Sequence, residues 1–271
     1  MKNIVLIGER CIDIYEYVEV TRINPEAPTP VMKKISQSIS DGMTGNVHNN
    51  LLSLSDGHAN ILSFSPNTDI VKRRYVDKKS GYILFRLDEN DYVQQAFNNQ
   101  DLLDLNEYLS KNQDSVVVVS DYNKGYLSEV TLREISFICK SKGIKSFLDT
   151  KKILGGWSKE FFTVKINQKE YLNNYKVYGV NCKFYCQNLL VTDGENGITI
   201  MHQDAPQENF QTSKVEVRDV CGAGDVALAA LAVKYLESES LNLCIHFANN
   251  AASFSVTKRG TYAVTRRDLN I

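Results

Sequence analysis

Asp219-Val220-Cys221-Gly222-Ala223-Gly224-Asp225 runs without a break into Val226-Ala227-Leu228-Ala229-Ala230-Leu231-Ala232. The apolar run Val215–Val217 just before it reads as a strand, so the pattern is strand, small-residue turn, then an alanine-rich helix expected over 223–236. The first turn of a helix carries N–H groups with no intrahelical partner, at the positive end of the dipole, and such a turn binds anions. Gly222 and Gly224 let the backbone approach one closely, and Asp225 places a carboxylate beside it. That carboxylate can accept a hydroxyl proton, or it can simply cap the helix. Spacing alone leaves these two readings level, because an isolated Gly-x-Gly is a weak signal.

Working outward, short apolar runs alternate with helix-period segments. Strands are expected at 4–7, 59–64, 116–119, 146–148, 162–165 and 189–192. Helices are expected at 44–54, 102–109, 129–140, 223–236 and 241–256. Continuously apolar strands separated by helices predict an α/β fold, a mostly parallel sheet covered on both faces. Two stretches break the rhythm: 15–20 and 31–35 flank a turn at Asn24–Pro28, and 71–76 and 82–87 flank 77–81. Both read as hairpins, at about 14–36 and 70–88, and together they predict a small β lid beside the sheet. No linker or repeat divides the chain, so residues 1–271 read as a single domain.

Composition excludes several functions. Lys and Arg number 31 against 32 Asp and Glu, with no long basic run, which argues against nucleic acid. No apolar stretch approaches the roughly 20 residues of a membrane span, and the apolar start is too short for a signal peptide. A soluble, cytoplasmic protein is expected. Cys182 and Cys186 form the one close cysteine pair, with no second pair at zinc-ligand spacing, so reduced thiols are expected. His48, His58, His202 and His246 are dispersed and read as structural or surface residues.

The stretch 219–225 resembles the Asp-Thr-x-Gly-Ala-Gly-Asp signature of the PfkB, or ribokinase-like, carbohydrate kinases. More narrowly, Thr21-Arg22-Ile23-Asn24-Pro25-Glu26-Ala27-Pro28-Thr29-Pro30-Val31 resembles the lid motif of the bacterial D-glycero-D-manno-heptose-7-phosphate kinases. Arg86-Leu87-Asp88, Ser120-Asp121-Tyr122-Asn123-Lys124-Gly125, Thr192-Asp193-Gly194-Glu195-Asn196-Gly197 and Lys258-Arg259-Gly260-Thr261 follow in family order, so the resemblance covers essentially the whole chain. It implies a three-layer ribokinase-like fold and an ATP-dependent sugar kinase, with Asp225 as base and Gly222, Ala223 and Gly224 as anion hole. The implied reaction converts the heptose 7-phosphate to its 1,7-bisphosphate at the anomeric hydroxyl. It also implies ATP and Mg²⁺ as cofactors, admits a monovalent cation, and implies pairing of two copies through the lid.

The same resemblance assigns further residues. Asn167 and Glu170 match an Asn-x-x-Glu motif that positions Mg²⁺ largely through water, although the pair also reads as a polar helix start. Thr192, Gly194 and Gly197 match the nucleotide-side turn, with Asn249 and Asn250 as adenine-side candidates. Asp13 matches a sugar-hydroxyl ligand, against simple solvation, and Gly42, Gly45 and Asn46 match a sugar-binding turn. Lys72, Arg74 and Arg86 read either as ligands for the substrate's own phosphate or as edge-strand charges. Departures are Met43 for a glycine, Cys221 for threonine, Val226 for a hydroxyl residue, Glu9 for aspartate, Thr150 for proline, and a shortened 171–187 segment. No room is left for the nucleotidyltransferase domain fused to many heptose kinases, so any later adenylylation is expected from another protein. Two rivals remain: a PfkB kinase for another sugar or sugar phosphate, and a non-catalytic sugar- or nucleotide-binding relic of the fold.

Overall fold

The computed structural model describes residues 2–67 and 70–270; positions 1, 68, 69 and 271 of the expected domain lie outside the described residues. The chain opens with β1 (Lys2–Gly8) and crosses into a long hairpin, β2 (Arg10–Ile23) and β3 (Pro30–Met43). It returns through α1 (Thr44–Ser55) to β4 (Ala59–Phe64) and makes a second hairpin, β5 (Val71–Asp77) and β6 (Ile83–Glu89). Then follow α2 (Asn99–Lys111), β7 (Ser115–Asp121), α3 (Glu129–Ser141), β8 (Lys145–Thr150), β9 (Thr163–Asn167), α4 (Gln168–Tyr178) and β10 (Asn188–Thr192). Two short strands, β11 (Ile198–Met201) and β12 (Glu208–Phe210), precede α5 (Ala223–Ser238) and α6 (Leu241–Ser255).

The large sheet has the order β12-β11-β10-β9-β8-β7-β1-β4. Every pairing from β4 to β10 is parallel, and β11 and β12 close one edge antiparallel. The residue alternation explains the layers. Ile4, Leu6, Val116 and Val118 enter a core under α1, α5 and α6, while Val5, Ile7, Val117 and Val119 enter a second core under α2 and α3. This is the expected three-layer arrangement with a mostly parallel sheet. Residues Asp225 to Val233 of α5 are all buried, and alanines at 227, 229, 230 and 232 let the helix pack closely on every side.

Both expected hairpins join into a second sheet of order β3-β2-β5-β6, in which β2 and β5 run parallel and the outer pairs antiparallel. The first hairpin is longer than the sequence indicated and reaches back to Arg10 and forward to Met43. A correction concerns residues 215–217, which form no strand. Val217 is 58% exposed and Val220 is 70% exposed, and both face an open cleft. Just after this segment the backbone is tied to the end of α6, since Arg218 and Asp219 N–H donate to Val256 O at 2.8 and 3.2 Å. All six cysteines are free, Cys182 and Cys186 among the buried ones. Among the described residues, no helix is long and apolar enough to cross a membrane.

Candidate active site

Parallel strands leave their carboxyl ends on one edge of the sheet, and ligands in open α/β sheets bind outside that edge. Here the turn before α5 arrives at the same edge. Gly222 is the N-cap of α5 with φ 79, a conformation that favours glycine, and a Cβ there would stand 2.5 Å from Asn46 Nδ2. Asp219 holds the turn from behind: its carboxylate accepts Cys221 N–H and Gly260 N–H, both at 2.9 Å. Asp225 follows in the first turn of the helix, 4% exposed. Its Oδ2 accepts Asn46 Nδ2 at 3.0 Å and its Oδ1 accepts the Tyr122 hydroxyl at 2.6 Å. Burial raises the carboxyl, the bonds from Asn46 and Tyr122 pull it back, and Asp149 adds to the rise, leaving it at about 6. A capping aspartate accepts backbone N–H groups from its own helix, whereas this one takes side chains from α1 and from the loop after β7.

Two cavities meet at this point. One, of about 420 Å³, is lined by Tyr122, Asp149, Lys165, Asn167, Gly222 and Asp225. The other, of about 540 Å³, runs along α5 and α6 past Val215, Val217, Ala227, Asn249 and Ala252. Thr192, Gly194, Val220 and Gly224 belong to both. The first cavity carries the charge. Lys165 Nζ is 3% exposed, lies 2.7 Å from Asp149 Oδ2, and is 3.4 Å from the place a Gly224 Cβ would take. Lys151 Nζ bridges Asp149 at 3.6 Å and Glu170 at 2.7 Å. Burial pushes the Asp149 carboxyl up, but Lys165 and Lys151 together outweigh it and hold it below the usual range.

Of the acceptor-side residues of the sequence reading, Asp13, Gly42, Lys72, Arg74 and Arg86 lie on one face of the lid, and Gly45 and Asn46 lie at the start of α1. Asp13 pairs in register with Lys72, Tyr15 with Arg74, and Arg74 with Arg86. Asp13 and Arg74 form a buried ion pair, and Arg74 also lies over the Tyr15 ring, 5.1 Å from its centroid. Gly42 is needed where it is, since a side chain there would collide with Asp13 Oδ2. Lys72 Nζ is 5.2 Å from the centroid of the Tyr122 ring. Arg86, in contrast, is half exposed on the edge strand, with both arms of its guanidinium on Asp88 at 2.7 and 2.8 Å. Gly45 opens α1 against Asp41, one residue before Asn46. Met43 precedes that helix with φ 56 and ψ −131, and its buried side chain packs with Cys11, Ile70 and Val93 beneath Tyr122. A non-glycine residue in this region of backbone space costs on the order of 1–3 kcal/mol.

On the other side, Asn167 and Glu170 form a reciprocal capping box at the start of α4. Asn167 Oδ1 accepts Glu170 N–H at 2.9 Å, and Glu170 Oε2 accepts Asn167 N–H at 2.8 Å. Glu170 Oε1 remains for Lys151. Thr192, Gly194, Gly197 and Asn249 all line the second cavity, and Asn249 is pinned by donating to Phe210 O at 2.7 Å. Asn250 is exposed and forms no part of that wall. Among the described residues, no cluster of three or more His, Cys, Asp or Glu is placed to hold a metal directly.

The sequence reading named no role for Tyr122, Lys165, Asp149 or Lys151. Tyr122, Asp149 and Lys151 stand at or next to the carboxyl ends of parallel strands, which is the signal that finds them, whereas Lys165 lies midway along β9. Glu9, recorded only as a departure, is fully buried between β1 and β2 and gathers the backbone N–H groups of Tyr122, Lys124 and Tyr126 at 2.9, 3.0 and 3.3 Å.

Bifunctional protein HldE of Marinomonas sp. (strain MWYL1) is 29% identical over 304 residues, covering 99% of this chain and 63% of that protein. Bifunctional protein HldE of Vibrio cholerae serotype O1 is 29% identical over 307 residues, covering 98% of this chain and 62% of its own length. The chain thus spans a little under two thirds of these relatives. Among solved structures, ribokinase from Thermotoga maritima matches with a TM-score of 0.74 at 16% identity, covering 100% of this chain and 98% of the other. Arabidopsis thaliana ribokinase, solved with ribose and ATP, matches with a TM-score of 0.72 at 15% identity, over 99% and 98% of the two chains. These establish the ribokinase-like fold. Residues 77–267 match the model of the pfkB family carbohydrate kinases, and the chain belongs to that family.

Proposed function

We propose that this protein transfers the terminal phosphoryl group of ATP to a sugar hydroxyl, with Asp225 as base and the N–H groups of Gly222, Ala223 and Gly224 as anion hole. The observation that carries this is one buried carboxylate at the junction of two cavities, in the first turn of a helix. ATP lies along α5 and α6, and the sugar lies between the lid and the sheet. With its carboxyl at about 6, Asp225 is mostly ionised at neutral pH yet basic enough to take a proton as the hydroxyl attacks. Phosphoryl transfer demands positioning and charge neutralisation above all, and the helix start, Lys165 and Lys151 bring positive potential to the junction.

Asn167 and Glu170 suit Mg²⁺ held through water: their inner bonds are spent on each other and on Lys151, while Asp149 Oδ1 beside them is buried with no hydrogen-bond partner. When bound, Mg²⁺ supplies charge neutralisation on the phosphates. Asp13 takes sugar hydroxyls, and Lys72 and Arg74 lie on the same face for a substrate phosphate, with Arg86 joining by exchange from Asp88.

The acceptor we assign is D-glycero-D-manno-heptose 7-phosphate, at its anomeric hydroxyl, on the lid motif at 21–31 and the match of 99% of this chain to a protein named HldE. The opposite face of the lid exposes Ile39, Phe85 and Leu87, and we assign it to a second copy of the chain, both working in the cytoplasm. One observation favours a different sugar phosphate: Met43 holds a strained backbone and a bulky side chain at the edge of the acceptor site.

Mass spectrometry of reactions with Mg-ATP and a sugar panel tests both readings. A heptose bisphosphate formed by the parent, and reduced by about 10³-fold or more in Asp225→Asn, is the expected result. Phosphorylation of another sugar keeps the mechanism and discards the heptose. ATP binding with no product from any acceptor points to the relic, and full turnover by Asp225→Asn removes Asp225 as base.

A further inference from the structure

We propose that Tyr122 is the positioning residue of this site: its hydroxyl, donated to Asp225 Oδ1 at 2.6 Å, fixes the orientation and the charge of that carboxylate. The kinase reading supplies the catalytic consequence, while the contact itself stands without it. Three observations converge on it. The phenol meets one of the two Asp225 oxygens while Asn46 meets the other, so the carboxylate plane is set from two sides. Tyr122 is itself held by its backbone. Glu9, buried completely, accepts N–H groups from Tyr122, Lys124 and Tyr126, and Asp121 accepts that of Asn123 at 3.0 Å, which winds the loop onto two carboxylates. The ring is gripped as well, with Lys72 Nζ of the lid 5.2 Å and Lys151 Nζ 5.4 Å from its centroid.

A hydrogen bond donated to a carboxylate favours its ionised form, and the effect is large where water is excluded. The other titratable groups around Asp225 are Cys11 on β2, Lys72 on β5, Asp149 and Lys151 at the end of β8, and Lys165 on β9. Burial pushes the Cys11 thiol up to about 12 and keeps it neutral, and Asp149 is offset by its two lysines, so the base is tuned by two neutral donors, Asn46 and Tyr122, of which Tyr122 is the one in contact with the lid. Lys72 ties that donor to the lid.

The test reads protonation directly and activity separately, on the full chain. Carbon-13 NMR of labelled aspartate, assigned through Asp225→Asn, follows the Asp225 titration in the parent and in Tyr122→Phe. The midpoint is expected to rise by roughly one pH unit in the variant, and the acid limb of the kcat profile to move with it, giving a loss about fivefold larger at pH 6 than at pH 8.5. An unmoved midpoint overturns the proposal. A midpoint that moves while kcat stays flat supports the contact and removes Asp225 as base. Should Tyr122→Phe fail to fold, 3-fluorotyrosine placed at position 122 gives the same answer. Its fluorine signal is expected to titrate near pH 6 in the parent background and to stay flat with Asp225→Asn, and a flat signal in both overturns the proposal.

Discussion

The body and the lid solve the problem of apolar surface in opposite ways. In the body, strands such as β1 and β7 bury both faces, each under its own layer of helices. In the lid, β6 exposes every residue from Ile83 to Asp88, and β3 is exposed along most of its length. Ile23, Ile39, Phe85 and Leu87 are among the exposed apolar side chains there. The body therefore carries the folding stability, while the lid leaves its apolar surface uncovered in the monomer. The candidate site lies along the seam, and that is why its groups are buried yet border open cavities.

Three substitutions sharpen the contrast. Phe147, fully buried between β8 and α5, is expected to cost about 3–5 kcal/mol when changed to Ala, read as a lowered denaturation midpoint with unchanged m-value. A loss below about 1 kcal/mol would mean the body is not where the stability resides.

Asp225→Asn is expected to stabilise the protein, and the sign follows from the direction of the shift. Its carboxyl is raised from 3.8 to about 6 on folding, so the protonated form is favoured in the native state. That contribution is fully present below pH 4 and is lost as pH rises through 6, where an ionised Asp225 must be kept buried. The variant should gain on the order of 2–3 kcal/mol at pH 8 and little at pH 4, measured by denaturation at both. Equal gains at the two pH values would show that burial does not strain this carboxylate.

Phe85→Ser in the lid should change monomer stability by less than about 0.5 kcal/mol, while sedimentation shows a weakened association of copies. A large loss of stability in a dilute monomer would erase the distinction between the two regions.

The same contrast decides what could be read from the sequence. Body strands announce themselves as continuous apolar runs, and 59–64 coincides with β4 to the residue. Helices α1, α3, α5 and α6 begin where expected, although only α3 has a side-chain cap, Ser128 accepting Thr131 N–H. The runs at 215–217 misled because alternating valines fit a strand and a cleft wall equally well. Only tertiary contact with Val256 tells them apart. In the site, Asn167 and Glu170 were legible as a local capping pattern. Tyr122 and Lys165 were not, since their roles arise where the end of β7 and the middle of β9 meet the start of α5, residues about 100 and 60 positions away. No period or propensity encodes such a meeting.

Asp219 has a mechanical consequence. One carboxylate, bonded to Cys221 N–H and Gly260 N–H, clasps together two points of the chain 41 residues from Asp219 to Gly260 and encloses α5 and α6 between them. Beyond the clasp, the Thr261 hydroxyl reaches Ser40 on the lid. The two helices that wall the second cavity are thereby a closed buckle. They cannot splay without releasing the turn, and a pull on the lid is delivered to the clasp before it reaches the floor of the cleft.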